Sequence, residues 1–244
     1  MPPSEPTAAA IADLAPKGKL RAAINFGNPI LATRDVTTGE AHGVSVDLSR
    51  ELAKRLGVPV ELLLYPATGK VVEGLRSDAW DVAFVAIDPA RAVDMDFTAP
   101  FVVIEGAYLV PQDSPIRNNA DVDREGVRVA VGAGSAYDLY LLRELRKAQI
   151  VRAPTSPAVV DMMVEQNFEV AAGVKQQLEA DAKRIPGVRL LDGRFMVINQ
   201  AMAMSKGRAA GLRHLAAFVE EMKKSGFVAS ALAKHSIEGV TIAP

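Results

Sequence analysis

From residue 19 onward, short apolar runs alternate with stretches whose apolar positions recur at helical spacing. Residues 19–25 (KLRAAIN) read as a strand, broken by Asn28-Pro29. After the turn chemistry of Thr37-Thr38-Gly39-Glu40, the positions Val46, Leu48, Leu52, Ala53 and Leu56 fall near helical spacing, and Gly57 supplies a stop. Residues 59–65 (PVELLLY) and 80–87 (WDVAFVAI) are apolar runs of strand length and read as buried strands, with a short helix over residues 70–76 between them. The β-α-β-α-β order predicts a parallel sheet with right-handed crossovers, and places binding chemistry in the loops at the carboxyl ends of strands. Asp88-Pro89 then gives an N-cap and a proline at the first helical position, which puts Arg91 just past a strand end.

Residues 101–110 form a long apolar strand, and Pro111, Asp113 and Pro115 mark a change of composition where the chain is expected to cross to a second lobe. There a second β-α-β unit begins with residues 127–131 (VRVAV), the turn Gly132-Ala133-Gly134-Ser135 and a helix through Lys147. Ser135 and Asp138 have the spacing of a capping pair, so the helix amides are expected to open toward Gly134 and Ser135 as an anion seat. A strand over 149–152, a helix over 156–166, a strand over 168–173 and a polar helix over 175–184 follow. Strands over 188–191 and 195–204 lead back to the first lobe. Amphipathic helices over 208–225 and 227–235 finish the chain, with Leu212, Leu215, Val219 and Met222 on one face. The expected lobes are residues 18–110 plus 195–244, and residues 111–194. Residues 1–17, rich in proline and alanine, read as a leader.

Apolar residues make up 49% of the chain and charged ones 23%, enough for a core and not a disordered composition. The 28 basic and 29 acidic residues nearly cancel, so no global field favours nucleic acid or an anionic membrane, and a charged ligand must be met locally. The absence of cysteine excludes disulfides and thiolate chemistry, and leaves both cytoplasm and periplasm open. The apolar run at 102–110 is interrupted by Glu105 and is far shorter than the roughly 20 residues of a membrane span. MPPSEPTAAAIADLAPKGK lacks the positive start and apolar core of a secretory signal. His42, His214 and His235 lack ligand spacing, so no metal is expected. Gly132-x-Gly134 lacks the third glycine and distal acid of a dinucleotide loop, and no cofactor is expected. Glu105 needs a partner, from the protein or from a ligand, because burying a lone carboxylate costs several kcal/mol.

Three motifs carry a family resemblance. Gly43-Val44-Ser45-Val46-Asp47-Leu48 precedes Ala53-Lys54-Arg55-Leu56-Gly57. Trp80-Asp81-Val82-Ala83 runs through Asp88-Pro89-Ala90-Arg91 to Asp96-Phe97-Thr98-Ala99-Pro100-Phe101. Asp113-Ser114-Pro115-Ile116 and Asp121-Val122 lead to Val129-Ala130-Val131-Gly132-Ala133-Gly134-Ser135. In order and spacing these resemble the extracellular solute-binding proteins of polar-amino-acid ABC transporters, over most of residues 18–240. The resemblance implies an α/β, two-lobed periplasmic-binding-protein-like fold of type II, each lobe a sheet flanked by helices and joined by two crossover strands. It implies a monomer in the periplasm that works with a membrane ABC permease, closes by a hinge around a small carboxylate (an amino acid or related organic acid), and catalyses nothing. Arg91 matches the arginine that clamps the ligand carboxylate, and Ser135, beside Gly134, matches the hydroxyl that grips it from the second lobe. A guanidinium fork opposed by a hydroxyl and helix-start amides suits a carboxylate physically. As a bare N-cap, Ser135 would equally serve its own helix.

The departures bear on the ligand. Family members that bind amino acids usually carry a hydroxyl residue five positions before the arginine, where this chain has Ala86. Val174, beside Lys175, stands where an acid usually receives the ligand ammonium. Asn28 and Thr68 stand where aromatic residues usually sandwich the ligand. Glu105 is the acid that could substitute; without one, the expected ligand is an organic acid, a dicarboxylate if Lys175 or Lys70 reaches it. Lys175 and Lys70 also read as solvated helix-start charges. Two alternatives share the fold: an enzyme similar to cyclohexadienyl dehydratases, which would need an acid near Val174, and a sensory domain detached from a larger receptor.

Overall fold

The computed structural model describes residues 5–244. Its elements run α1 (Ala8–Leu14), β1 (Leu20–Asn25), β2 (Thr33–Arg34), β3 (Ala41–His42), α2 (Val44–Leu56), β4 (Val60–Tyr65), α3 (Thr68–Arg76), β5 (Val82–Ala86) and β6 (Met95–Pro111). They continue with β7 (Arg128–Gly132), α4 (Ala136–Glu144), β8 (Gln149–Ala153), α5 (Val159–Glu165), β9 (Val170–Val174), α6 (Lys175–Arg184), β10 (Val188–Leu190), β11 (Met196–Ser205), α7 (Ala209–Lys224), α8 (Phe227–Lys234) and β12 (Thr241–Ile242). The chain divides into two compact units. One holds the residues up to Pro66 with Lys70–Val103 and Asn199–Pro244; the other holds Ala67–Gly69 and Ile104–Ile198. The sequence placed the first passage at Pro111 and the return near residue 195. The passages instead fall inside β6 and inside β11. Pro111 ends a strand of 17 residues whose early part pairs with β12 at Val102–Val103 and whose later part pairs with β9 and β10.

In the first unit β1 lies between β4 and β5, parallel to both, with Leu20 opposite Val60 and Ala22 opposite Val82. The sheet is mixed, where the sequence suggested a parallel one, because the returning β11 pairs antiparallel with β5. All six residues of β1 and all five of β5 are buried, as a strand covered on both faces requires. Trp80 is fully buried and donates from Nε1 to the Val71 carbonyl at 2.8 Å, pinning α3. α2 begins at Gly43, whose φ of 134° only glycine adopts readily and whose added Cβ would lie 2.4 Å from the Leu31 carbonyl oxygen.

The expected leader contains a packed helix. Thr7 caps α1, its hydroxyl accepting from the Ala10 amide at 3.1 Å; Ala10 and Leu14, one turn apart, are buried, and Asp13 accepts from the Gly211 amide of α7 at 2.8 Å. Compositional bias toward proline and alanine masked the cap and the spacing of the two buried residues. Leu14→Ala is expected to lower unfolding stability by about 2 kcal/mol, at the low end for a buried leucine because a one-sided short helix can settle into the space. Urea unfolding checks this, and an unchanged midpoint would restore the reading of residues 8–14 as a leader.

In the second unit β7 lies between β8 and β9, parallel to both, and β9 runs antiparallel to β6. Leu109, Ala130, Val160, Met163, Phe168 and Leu178 form its core. α4 stops at Glu144, short of the expected Lys147, because Asp123 captures the next amides: its carboxylate accepts from Arg146, Lys147 and Ala148 at 2.7–3.0 Å. These bonds, the Ala148 amide foremost, hold Asp123 below the usual carboxylate range. The folded state therefore favours the charged form, and the stability gained above the unfolded value is lost as pH falls through the folded one. Titrating the urea midpoint from pH 7 to 3 should show a larger acid loss in wild type than in Asp123→Asn; equal losses would contradict the assignment.

Candidate functional site

In the first unit β5 ends at Ala86, and Asp88 caps the following turn by accepting from the Ala90 amide at 2.8 Å, while the Arg91 and Ala92 amides return to the Asp88 carbonyl. This turn folds Arg91 back over the end of its own strand. Its guanidinium is 4% exposed and donates from Nη1 to the Ala86 carbonyl at 2.8 Å. Burial pushes Arg91 down to about 10, with Asp88 opposing the shift. The Ala86 carbonyl thus holds Arg91 through the backbone. Asn28 is buried after β1. Its side-chain oxygen accepts from the Ile30 amide at 3.2 Å and its carbonyl from Leu31 and Ala32, so the residue shapes the turn.

In the second unit Gly132-Ala133-Gly134-Ser135 closes β7 against crowded surroundings. A Cβ on Gly132 would lie 2.5 Å from the Ser156 hydroxyl. Gly134 has φ 68°, and a Cβ there would lie 2.9 Å from the Gly69 Cα. The buried Ser135 caps α4, its Oγ accepting from the Asp138 amide at 3.1 Å. The reciprocal half of the expected capping pair is replaced. Asp138 accepts from the Gly134 amide at 2.9 Å and from Arg152 Nε at 2.9 and 3.0 Å. The Gly134 amide is therefore engaged within the protein, and the Ser135 amide donates to the Gly132 carbonyl at 3.0 Å. The donors suited to an anion here are the Ser135 hydroxyl and the first-turn amides of Ala136 and Tyr137, which no carbonyl of the helix itself can reach. Tyr137, Arg152 and Ser156 were not legible as site residues. Burial pushes the Tyr137 phenol up, opposed by the Ser156 and Ser135 hydroxyls.

Glu105 obtains its partners from the protein. Because Gly106 stands opposite Val174, Glu105 lies across from Lys175, whose Nζ is 3.2 Å away. Phe195 donates to the Gly106 carbonyl at 2.9 Å, which brings Arg194 alongside, with Nη1 2.7 Å from Glu105. The Glu105 side chain is 31% exposed, so the strand is not the closed environment its apolar sequence suggested. Arg194 and then Lys175 hold the carboxyl below the usual range. Val174 is buried. Lys70 pairs with Glu73 at 2.8 Å on an exposed helix face, and Thr68 opens α3. His42 and His235, distant in sequence, stack at 5.7 Å, and His235 Nε2 lies 2.8 Å from Asp47. Among the described residues no group of three or more His, Cys, Asp or Glu is placed to hold a metal, and no helix is long and apolar enough to cross a membrane.

Parallel strands flanked by helices, with Asn28, Arg91 and Ser135 just past their carboxyl ends, are those of a periplasmic-binding-protein-like architecture. The chain belongs to the bacterial extracellular solute-binding proteins, family 3, whose family model matches residues 20–237. Among solved structures it is similar to a mutant of ArgBP from T. maritima, with 21% identity, TM-score 0.80 and coverage of 94% of this chain and 100% of that one. It is similar to the solute receptor for L-cysteine of Neisseria gonorrhoeae, with 24% identity, TM-score 0.79 and coverage of 94% and 93%. A third likeness is the ancestral amino acid-binding protein AncCDT-1, a precursor of cyclohexadienyl dehydratase, with 23% identity, TM-score 0.77 and coverage of 92% and 98%. Family members are extracellular or periplasmic proteins with a solute-binding role.

Proposed function

We propose that this chain is the periplasmic binding component of an ABC uptake system and that it takes a small carboxylate by hinge closure. Arg91 grips the carboxylate from the first unit, and the Ser135 hydroxyl with the α4 amides grips it from the second. The observation that carries this reading is the burial of Arg91 at the carboxyl end of β5. A desolvated guanidinium disfavours its own charge, and an incoming carboxylate offsets that cost with a charge-assisted, bidentate bond. One anion engaging both units would bind the closed form better than the open one, which is what drives closure. The amino-acid ligands in the names of the similar structures support a carboxylate ligand. A permease partner follows from the family.

A dehydratase-like enzyme is the weaker reading. Its general acid would have to be Glu105, which Arg194 and Lys175 hold deprotonated and which therefore has no proton to give near neutral pH. The test is thermal unfolding of protein that has been unfolded, stripped of ligand and refolded, against small carboxylates and their uncharged primary amides. A carboxylate at 100 times its dissociation constant should add about 2.7 kcal/mol and its amide nothing. Equal stabilisation by the amides, or none by any carboxylate, would overturn the reading.

A further inference from the structure

We infer that the ligand is an organic anion without an ammonium group, of the 2-oxo acid, 2-hydroxy acid or dicarboxylate class; this rests on the carboxylate reading above. An α-amino acid brings a cation as well as an anion, and a desolvated ammonium without an acceptor costs several kcal/mol. Three acids close in sequence to candidate residues already accept from the protein. Asp88 accepts from the Ala90 amide. Asp138 accepts from Arg152 and the Gly134 amide. Glu73 holds Lys70.

Glu105 decides the matter. It already carries two cations, Arg194 at 2.7 Å and Lys175 at 3.2 Å, so the trio has a formal charge of +1. A ligand ammonium would be a third cation on one carboxylate, and would have to compete with both partners for it. The residue that ends β9 beside Lys175 is the buried Val174, which offers an ammonium nothing. Lys175 and Arg194 instead favour a second negative or polar group on the ligand.

The experiment is calorimetric titration of the refolded protein with matched pairs that differ at the amino group: pyruvate and lactate against L-alanine, 2-oxoglutarate and 2-hydroxyglutarate against L-glutamate, and phenylpyruvate against L-phenylalanine. The ammonium-free member is expected to bind at least tenfold more tightly in every pair that binds. Tighter binding of the amino acid in any pair overturns this inference and leaves the carboxylate reading standing. Silence from all three pairs and from every carboxylate of the thermal panel overturns both. Val174→Asp, which sets an acid beside Lys175, should shift the preference at least tenfold toward the amino acid. An equal loss for both members would assign Val174 a packing role only and overturn the inference.

Discussion

Replacing Arg91 by methionine is expected to abolish stabilisation by carboxylates while leaving the ligand-free protein at least as stable as wild type. Arg91 is 4% exposed, and burial holds it at about 10, well below its ordinary value. The unfolded chain thus binds this proton more tightly than the folded one. The penalty is present in full below about pH 10 and disappears as pH rises toward the unfolded value, so at neutral pH the arginine opposes folding by about 3 kcal/mol. Methionine fills similar space without charge and removes that penalty, at the cost of Arg91's polar contacts, which include the hydrogen bond to Ala86 and the attraction to the buried Asp88, each about 1 kcal/mol. Scanning calorimetry without ligand should show an unchanged or higher melting temperature. A drop equivalent to more than about 2 kcal/mol would make Arg91 a structural residue, because its polar contacts would then outweigh the cost of burying its charge. Stability surrendered for function at one position is the pattern expected of a binding site.

Asp81→Ala should produce the largest loss of stability, about 3 kcal/mol, because it takes the main partner from a buried guanidinium and leaves it only Asp78, whose carboxylate is half exposed and 3.4 Å away. Asp81 is fully buried and takes three bonds from Arg21: the amide at 2.9 Å, Nε at 3.1 Å and Nη2 at 2.7 Å. Arg21 sits in β1 and Asp81 just before β5, so the pair locks the two strands whose carboxyl ends carry Asn28 and Arg91. The Asp81 side chain raises the Arg21 guanidinium above its ordinary value, in keeping with a matched pair. Against a total stability of about 5–15 kcal/mol, the loss should lower the urea midpoint by about 1 M or more. Restoring neutrality with Arg21→Met and Asp81→Leu together should recover most of it, whereas a double variant no better than the single one would refute the stranded charge as the cause.

Much of this was legible because local signals and tertiary context agreed. The apolar runs at β1 and β5, the helical spacing of α2 with glycines at both ends, and the serine cap of α4 are each set by neighbouring residues. Misreadings arose where a distant residue intervened. Nothing near Glu144 announces that Asp123 will take the amides of residues 146–148 and end α4. The early part of β6 carries Asp96, Thr98 and Pro100 among its apolar residues and does not read as a strand; it is held by pairing made elsewhere in the chain. In the site, Arg91 and Ser135 could be singled out because each follows a strand directly. Arg194 could not, because its partner Glu105 is 89 residues away and the Phe195–Gly106 backbone bond brings them together. Asp138 was seen as half of a cap, but Arg152 redirects its carboxylate from 14 residues downstream.

The most direct test is a double-mutant cycle of ligand affinity over Arg91→Met and Ser135→Ala, measured by calorimetry on refolded protein with whichever carboxylate binds. If both side chains hold the same carboxylate, each single change should weaken binding at least tenfold, and the pair should lose less than the two losses added, with a coupling of about 1 kcal/mol or more. Strict additivity would mean that the two residues do not share one group of the ligand. Unchanged affinity in Arg91→Met would contradict the carboxylate site altogether.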